Sequence, residues 1–559
     1  MKKWEGLLRT LLQNRGIKTK KEIEDFLHPP YPPDIPDLPD MSKAVTRIRK
    51  AIKHKESIVV YADYDADGIT AGAIMWESLH HLGAHVMPYI PHRVEEGYGL
   101  SVKGIDAVRA QYDPSLIITV DHGITAWEKV EYAKKMGMDV IVTDHHVKPK
   151  KLPDCTIVHT TQLSGAGVSW FLARHVILAS ESSSASRIPV GSWTSQDDAA
   201  LLELAAVGTI ADMVPLVGPN RSIAKYGLAA INETKRVGLE ALIADAGLTK
   251  GALDVYAVSH MVAPRLNAMG RIEHAMDALR LLCTKQQSKA ALLAQKLGFK
   301  NRERQQLTLD TTAHALQGLS LLKQGETLRK LLFVVHESYN PGVIGLVAGK
   351  LVEKYYRPAI VVSKGKVYSK ASARSINGFN IVEAIRSCSD ILVDVGGHPM
   401  AAGFTVETKH LKTLQKRLEK LAEQELDEVK LTRTLNIDAE IPLDLVTQEF
   451  YQAIQQLQPF GLGNPEPVFM TRMILVKEAR LVGEGGKHLK LRISASTHQR
   501  INALTPPIDA IAFNQGSLYG KLQSGQPVDL AYTIALDTWN GNSRLQLKIK
   551  DIHLQPQSR

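Results

Sequence analysis

The chain has 559 residues, of which 44% are hydrophobic and 23% charged, a composition that excludes a mainly disordered protein. Three widely separated cysteines exclude a disulfide scaffold and a cysteine-rich zinc site, and no apolar run provides a membrane span or a signal peptide, so we expect a cytoplasmic protein without membrane contact. The formal net charge of +10 favours polyanionic partners, and half of it lies in residues 455–559, which hold 12 Lys and Arg against 7 Asp and Glu.

The first half of the chain is predicted to contain a parallel sheet. Residues 1–50 form a helical segment that ends in a proline-rich, turn-forming stretch at 27–39. From residue 57 to about 216, short β-branched runs at 58–62, 116–120 and 140–143 alternate with helical stretches. This alternation is typical of βαβ units around a buried parallel sheet. A polar insertion at 179–186 is expected to be a surface loop.

The second half predicts a long helix, a smaller α/β unit and a β-barrel. Residues 275–322 contain no proline and form a helix that connects two domains. Strands at 331–335 and 359–362, a helix at 342–354 and a charged helix at 408–430 make up the α/β unit. After residue 455, five short strands favour a small basic barrel of the OB type, a fold that binds nucleic acid.

These patterns divide the chain into five parts within an α/β fold class. They are a helical segment at 1–50, a parallel-sheet domain at 51–235, a helical connector at 236–325, a smaller α/β domain at 326–430, and a linker with the OB-like barrel at 431–559.

Acidic and imidazole side chains follow three of the predicted strands, at the point where each strand ends. They are Asp63, Asp65 and Asp67 after the first strand, Asp121 after the second, and Asp144, His145 and His146 after the third, and Asp212 follows a helical stretch. Because ligands of an open parallel sheet bind outside the carboxyl ends of its strands, we expect these side chains to converge.

A cluster of this composition predicts a metal centre. Several carboxylates in one crevice repel each other unless cations neutralise them. Oxygen ligands with one or two imidazoles and no thiolate suit Mn²⁺ or Mg²⁺ better than a structural zinc. Five or six such ligands can hold two ions about 3.5–4 Å apart, a pair that activates water and stabilises charge on a phosphoryl group.

Seven separate stretches of the sequence resemble motifs of one protein family. Residues 63–70, 121–123, 144–146 and 208–212 resemble the four motifs of the DHH phosphoesterase superfamily, and residues 396–403 resemble the signature of its companion DHHA1 domain. Residues 263–271 and 458–467 are similar to stretches of the RecJ family, whose members are single-strand-specific 5′→3′ DNA exonucleases. The resemblance extends from about residue 53 to the end of the chain.

The resemblance implies roles for the clustered residues. Asp65, Asp67, Asp121, His145 and Asp212 match the metal ligands of the family, with Asp121 expected to bridge the two ions. His146 matches a histidine beside the metals and the scissile phosphate, and Asp144 is expected to orient both histidines. Related pyrophosphatases have a metal-binding histidine where this chain has Tyr61, so Asp63 is expected to act either as a ligand or from outside the ligand shell.

The resemblance also implies contacts with DNA. The residues that match are Arg265, Asn267, Arg271, Ser372, Arg374, Gly397 and His398, and the last four match positions that hold the nucleic-acid backbone or its 5′ end. Arginine makes paired hydrogen bonds to phosphate, and glycine lets a phosphate approach the backbone. In the barrel, Phe513, Tyr519, Tyr532 and Trp539 could each stack on bases or belong to the core.

The function implied is a processive exonuclease that releases mononucleotides from single-stranded DNA in repair and recombination. The implied cofactors are two Mn²⁺ or Mg²⁺ ions. The implied partners are a single-strand binding protein and a RecQ-type helicase, and the chain is expected to be a monomer. One alternative is a small-substrate DHH phosphoesterase, either an oligoribonuclease or a cyclic-dinucleotide phosphodiesterase, against which the extra basic barrel argues. The other is a non-catalytic single-strand-binding scaffold, against which the filled ligand positions argue.

Overall fold

The computed structural model describes residues 4–555 apart from Val94 and the ranges 183–193, 322–327, 496–506 and 538–542. The polar insertion at 179–186 was predicted to be a loop, but its first four residues, 179–182, end the helix Gly165–Ser182, so the prediction is wrong there. Residues 183–186 lie outside the described residues, and so does Trp539. Among the described helices, none is both long and apolar enough to cross a membrane.

The parallel-sheet domain contains a five-stranded sheet with helices on both faces; the sequence predicted the parallel sheet and three of its strands. Its strands are β1 (Ser57–Ala62), β2 (His85–Tyr89), β3 (Leu116–Val120), β4 (Asp139–Asp144) and β5 (Thr156–His159), in the order β2-β1-β3-β4-β5 with every pair parallel. Its helices, preceded by α3 (Met41–Lys53), are α4 (Ala66–His81), α5 (Val102–Tyr112), α6 (Trp127–Lys135), α7 (Gly165–Ser182), α8 (Ser195–Ala211) and α9 (Gly218–Asn232).

The central strands β1 and β3 are buried on both faces of the sheet because most of their side chains are apolar. Along β1, Ile58 and Val60 pack in one hydrophobic cluster, whereas Val59 and Tyr61 pack in another on the opposite face. From β1 the chain runs first to β2 on one side and then to β3 on the other. This reversal of strand order opens a crevice at the carboxyl ends of β1 and β3, the usual ligand position in such sheets.

A set of helices connects the parallel-sheet domain to the next one. They are α10 (Val237–Asp245), α11 (Val255–Ala257), α12 (Ala263–Ile272), α13 (Met276–Cys283) and α14 (Gln287–Leu321), with a π-helical turn at Val258–Val262. The predicted long helix is therefore two helices, since Thr284 adopts an extended backbone and ends α13. Helix α14 packs against α10 and α12 and, at its other end, against the next domain.

The mixed-sheet domain is the predicted smaller α/β unit. Its elements are β6 (Leu332–His336), α15 (Ile344–Tyr355), β7 (Ala359–Ser363), β8 (Tyr368–Arg374), α16 (Ile381–Arg386), β9 (Leu392–His398), β10 (Ala401–Glu407) and α17 (Leu411–Glu425). The strand order is β6-β7-β8-β10-β9, and only β6 and β7 are parallel.

The barrel domain follows, with elements β11 (Ala439–Glu440), α18 (Gln448–Gln455), β12 (Phe469–Val482), β13 (His488–Ser494), β14 (Ile508–Ala512), β15 (Pro527–Asp537) and β16 (Arg544–Leu554). Strand β12 pairs with both β13 and β15, so the strand pairings form a ring, as an OB-like barrel requires. The N-terminal helices α1 (Glu5–Asn14) and α2 (Lys20–Leu27) contribute Leu11, Leu12 and Phe26 to the core of this domain, although more than 400 residues separate them in sequence.

Candidate metal centre and phosphate pocket

The loop between β1 and α4 presents three carboxylates. Asp65 begins α4 as its N-cap, and its Oδ1 accepts a hydrogen bond of 3.0 Å from the Gly68 N–H. A Cβ on Gly68 would lie 2.6 Å from the Cβ of Asp63, so only glycine fits this turn. Asp67 accepts hydrogen bonds from the backbone N–H groups of Gly165 (2.6 Å) and Ala166 (2.9 Å) at the start of α7. The positive end of a helix therefore holds one carboxylate of the cluster.

The second strand end supplies Asp121. Its φ of +67° is left-handed, a conformation that few non-glycine residues adopt. A Cβ on Gly165 would lie 2.5 Å from Asp121 Oδ1, so α7 packs directly against this carboxylate. Asp121 Oδ1 is buried and has no hydrogen-bond partner among the described residues. A buried carboxylate oxygen that accepts no hydrogen bond, although an imidazole nitrogen (His145 Nε2) lies 3.1 Å away, is the feature expected of a metal ligand.

The third strand end supplies Asp144, His145 and His146. Asp144 Oδ2 accepts a hydrogen bond from the Ile124 N–H, and its Oδ1 lies within 3.1 Å of the N–H groups of both histidines. The same Oδ1 is 2.7 Å from His146 Nδ1. One buried carboxylate thus fixes the backbone of both histidines and the ring of His146.

The structure brings all six predicted ligands together. Three sets of ligand atoms each lie within 4.8 Å of one another: Asp121, His145 and His146; Asp67, His145 and Asp212; and Asp63, Asp65 and Asp121. His145 Nε2 lies 3.1 Å from Asp121 Oδ1 and 3.7 Å from Asp212 Oδ2. Because Asp121 and His145 each belong to two sets, the arrangement has room for more than one cation.

Burial and mutual repulsion raise the pKa values of these carboxyls. Burial, followed by the charge of Asp65, raises the pKa of Asp67 to about 7. Burial, followed by the charges of Asp67 and Asp65, raises the pKa of Asp212 to about 9. The pKa of Asp121 is raised well above its usual value by burial and then by Asp67. This crowded oxygen-rich set with one imidazole fits a divalent cation such as Mn²⁺ or Mg²⁺.

The raised pKa values predict how stability depends on pH. Without metal, the folded chain retains protons on Asp67 and Asp212 that the unfolded chain has already released at neutral pH. Stability of the metal-free protein is therefore expected to fall as the pH rises through about 7 and towards about 9. Because Mn²⁺ displaces those protons, the stabilisation that Mn²⁺ provides is expected to grow over the same window. Thermal unfolding across this pH range, with chelator and with Mn²⁺, measures both trends; metal-free stability that rises with pH would contradict the prediction.

His146 differs from His145 in its electrostatics. Burial opposes protonation of His146, but the hydrogen bond and charge of Asp144 outweigh it and raise the pKa of His146 to about 9. Burial, followed by the charge of His146, lowers the pKa of His145 to about 3, so this ring is neutral as a metal ligand must be. The ring of His146 stacks on that of His398 in the mixed-sheet domain, with centroids 6.0 Å apart. The parallel-sheet domain and the mixed-sheet domain therefore meet at the candidate metal centre.

Tyr61 does not stand in for the histidine of related pyrophosphatases. Its side chain packs with Val59 in the hydrophobic cluster on the face of the sheet opposite to Ile58 and Val60. The centroid of its ring lies 5.3 Å from that of His122. Asp63, in contrast, shares a ligand set with Asp65 and Asp121.

Two of the predicted DNA-binding arginines belong to a cationic pocket beside the centre. Burial, followed by the charges of Arg93, Arg304 and Arg374, lowers the pKa of Arg271 to about 10. Arg374 lies next to Ser372, with 3.4 Å between its guanidinium and the Ser372 hydroxyl. None of these four arginines forms an ion pair with a carboxylate in the part of the chain that the structure describes. Four guanidinium groups without acidic partners favour an anion.

Glycines keep this pocket open. A Cβ on Gly345, in the first turn of α15, would lie 2.9 Å from the Ser372 hydroxyl oxygen and 3.2 Å from the Arg374 guanidinium. The N-terminal N–H groups of α15 therefore lie close to the same pocket, where they add to its attraction for anions. Gly397 on β9 has a φ of +138°, and a Cβ there would lie 2.3 Å from the carbonyl oxygen of Ala401.

Two predicted DNA-binding residues have partners within the protein. Arg265 pairs with Asp245 at 2.9 Å and donates to the Met261 carbonyl oxygen. Asn267 Oδ1 accepts a hydrogen bond of 2.8 Å from the Ala66 N–H, so it supports the loop that carries Asp65 and Asp67.

Some residues of the site were not found by sequence reasoning. Arg93 and Arg304 lie outside the recognised motifs, and Tyr98, whose hydroxyl is 3.4 Å from His146 Nε2, lies between β2 and α5. In the barrel domain, Phe513 and Tyr519 are about half exposed, whereas Tyr532 is fully buried and hydrogen-bonded to Thr471, which makes it a core residue.

The chain is similar to known proteins along almost its whole length. Family models described as the DHH family N-terminal domain, the DHHA1 domain and the RecJ OB domain match residues 57–209, 328–424 and 437–551. The single-stranded-DNA-specific exonuclease RecJ of Bacillus subtilis is 36% identical over 98% of this chain and 67% of that protein. The protein of that name from Escherichia coli is 31% identical over 98% of this chain and 95% of that protein.

A solved structure shows the same similarity in three dimensions. The crystal structure of RecJ in complex with Mn²⁺ from Thermus thermophilus matches with a TM-score of 0.80 at 30% identity, over 98% of this chain and 76% of that chain. A second structure of that protein, in complex with Mg²⁺, matches with a TM-score of 0.75.

Proposed function

The chain belongs to the RecJ family of single-stranded-DNA-specific exonucleases, and from this premise we propose that it degrades single-stranded DNA in the 5′→3′ direction to mononucleotides. The observation that carries the proposal is the position of the arginine pocket, whose guanidinium groups form no ion pair among the described residues, beside the acidic cluster at the junction of two domains. A cluster that binds cations cleaves the phosphodiester, while a pocket for an anion holds the end of the strand.

Mn²⁺ or Mg²⁺ is the cofactor, held by Asp63, Asp65, Asp67, Asp121, His145 and Asp212. Two ions bound there supply a nucleophilic water and neutralise charge that develops on the phosphoryl oxygens. Asp121 would contribute to both cation positions, since it belongs to two of the three ligand sets and its Oδ1 accepts no hydrogen bond among the described residues. Asp63 is proposed as a direct ligand because it shares a set with Asp65 and Asp121.

Asp144 and His146 act as a pair. Asp144 holds His146 through Nδ1 and stabilises its protonated form, which directs Nε2 towards Tyr98 and the groove. From that position, the N–H of a protonated His146 can donate to a phosphoryl oxygen and stabilise its charge as the bond breaks. Asp144 itself acts by positioning, since its hydrogen bonds all go to the two histidines and to Ile124.

The pocket of Arg271, Ser372 and Arg374 is proposed to hold the phosphate at the 5′ end of the strand. Arg93 and Arg304 add charge to the same pocket. Gly397 and His398 are proposed to contact the same phosphate. The His398 ring stacks on His146, and Gly397 pairs with Ala402, which pairs in turn with Ala373, between Ser372 and Arg374. For Arg265 and Asn267, the observed partners support a positioning role in the wall of the groove.

The remaining parts of the proposal rest on family membership. The barrel domain is proposed to bind the strand away from the cleft, with Phe513 and Tyr519 as exposed aromatic candidates. We propose a role in DNA repair and recombination, a single-strand binding protein and a RecQ-type helicase as partners, a monomeric state and a cytoplasmic location.

The deciding experiment uses the purified chain, Mn²⁺ and a single-stranded oligonucleotide labelled at either end. We expect early release of a labelled mononucleotide from the 5′ label, gradual shortening of the 3′-labelled strand, and no degradation of blunt duplex. Release from the 3′ end, or cleavage only of oligomers of a few nucleotides, would instead indicate a small-substrate phosphoesterase. Binding without turnover would indicate a scaffold.

A further inference from the structure

Four exposed apolar side chains form a ridge next to the metal centre. They are Met213, Val217, Tyr256 and Leu462, which are 67%, 44%, 63% and 56% exposed. Met213 and Val217 lie in the loop that follows α8, Tyr256 lies in α11, and Leu462 belongs to the loop that leads into the barrel domain. Apolar side chains that three separate segments expose together indicate a contact surface.

The segments of this ridge interlock. The Leu216 N–H donates a hydrogen bond of 2.7 Å to the Leu462 carbonyl oxygen. A Cβ on Gly461 would lie 2.7 Å from the side chain of Leu216 and 3.8 Å from that of Val255, the residue before Tyr256. The barrel loop is therefore seated between the other two segments.

A buried arginine holds the barrel loop that carries Leu462 in place. Arg221 donates to the carbonyl oxygens of Phe26 (2.6 Å) and Gln458 (2.8 Å), and its guanidinium lies 3.7 Å from the centroid of the Phe26 ring. Asn464 donates to two carbonyl oxygens within the same loop, at Leu457 and Pro459. The exposed ridge therefore stands on a rigid base, which lowers the entropic cost of binding a ligand.

The position of Met213 connects the ridge to the reaction. Met213 directly follows the proposed ligand Asp212 and has a φ of +60°, a strained conformation for a side chain with a Cβ.

The ring of Tyr256 stacks on that of His260, with centroids 4.3 Å apart and an angle of 14° between planes. A paired aromatic surface of this kind resembles the platforms on which unpaired bases stack.

We propose that this ridge is a stacking platform for the bases of the strand as it passes from the barrel domain to the metal centre, an inference that rests on the proposed function. The occupant follows from continuity, because the ridge begins beside a metal ligand and ends on the loop of the barrel domain. Its apolar and aromatic side chains contact any base through its face and leave the backbone free to slide, as a sequence-independent exonuclease requires.

The test compares Tyr256→Ser and Leu462→Ser in the full chain with the conservative variant Tyr256→Phe. The substrates are a long oligonucleotide, the same oligonucleotide with abasic sites behind its 5′ end, and a 5′-phosphorylated dinucleotide. Leu292→Ser is the matched control, because Leu292 is 69% exposed on α14 and belongs to none of the segments that form the ridge. Equilibrium binding of each oligonucleotide with chelator present provides a second readout.

We expect Tyr256→Ser to lower the ratio of kcat/KM for the long oligonucleotide to that for the dinucleotide by about tenfold, with Tyr256→Phe close to wild type. Abasic sites in the long oligonucleotide should lower the kcat/KM of the wild type by about the same factor. They should lower the kcat/KM of the Tyr256→Ser variant very little, because that variant has already lost the stacking contact. The ridge proposal would be overturned if wild type and both serine variants had equal ratios of kcat/KM for the long oligonucleotide to that for the dinucleotide. It would also be overturned if abasic sites lowered kcat/KM of the Tyr256→Ser variant by the same factor as that of the wild type. Absence of degradation by the wild-type chain would overturn the proposed function, and the ridge proposal with it.

Discussion

Asp121→Asn is expected to abolish turnover of single-stranded DNA, lowering it by about a thousandfold or more, and to stabilise the metal-free protein. The loss follows because Asp121 belongs to two of the three ligand sets, so a neutral amide weakens both cation positions. Binding of a 5′-phosphorylated oligonucleotide with chelator present should persist, since the arginine pocket is unchanged. Turnover with Mn²⁺ and equilibrium binding measure the two effects separately.

The gain in stability has an electrostatic cause. Burial and the charges of Asp67, Asp65, Asp63 and Asp212 disfavour the ionised form of Asp121. Asparagine has nearly the same shape and no charge, so it relieves this repulsion, and we expect a free energy of unfolding about 1–2 kcal/mol higher without metal. With Mn²⁺ present the order should reverse, because the ions stabilise only a fold that binds them well.

The matched control is Asp37→Asn, which changes an exposed carboxylate in the N-terminal segment and should alter neither property. Full turnover by Asp121→Asn would contradict the assignment of Asp121 as a metal ligand. A variant that loses stability and DNA binding together would show instead that Asp121 maintains the fold.

The convergence of the acidic and histidine side chains could be predicted from the sequence because each part of the cluster is locally encoded. Buried β-branched runs mark the strands, and each ligand follows such a run or a helix within a few residues. Parallel strands then bring Asp65, Asp121 and His145 to one edge of the sheet, since all carboxyl ends meet there. The site therefore follows from sheet topology and needs no knowledge of side-chain packing.

Features that depend on contacts between distant residues could not be predicted. Arg93 and Arg304 lie outside the recognised motifs, and they join the pocket only because the helices and the mixed-sheet domain fold together. Arg265 has the residue type expected of a phosphate ligand, yet Asp245 on a neighbouring helix pairs with it. The packing of α1 against the barrel domain is likewise a contact across most of the chain, which no local pattern encodes.

Arg374→Gln is expected to remove the preference for a 5′ phosphate. For a 5′-phosphorylated oligonucleotide, kcat/KM should fall about 10- to 100-fold, towards the value for the 5′-hydroxyl form, which itself should change little. Arg374 is partly buried, has no carboxylate partner among the described residues, and lies beside Ser372 and the start of α15. Steady-state kinetics with the two 5′ ends give the preference directly.

Arg374→Lys should recover part of the preference, because it keeps the charge but lacks the planar fork that matches phosphate. Stability distinguishes binding from a structural role. Removing one of four mutually repelling guanidinium groups leaves no carboxylate unpaired, so Arg374→Gln should unfold at the wild-type temperature or above it.

Arg265→Gln is the matched control, because it also removes a motif arginine but leaves Asp245 without its ion-pair partner. It should lower stability by about 1–3 kcal/mol while the preference for a 5′ phosphate stays unchanged. If the two variants exchanged these effects, Arg265 would be the phosphate ligand and Arg374 a structural residue. The contrast depends on a single physical difference, since a guanidinium with a carboxylate partner contributes to folding, whereas one without a partner remains available for the substrate.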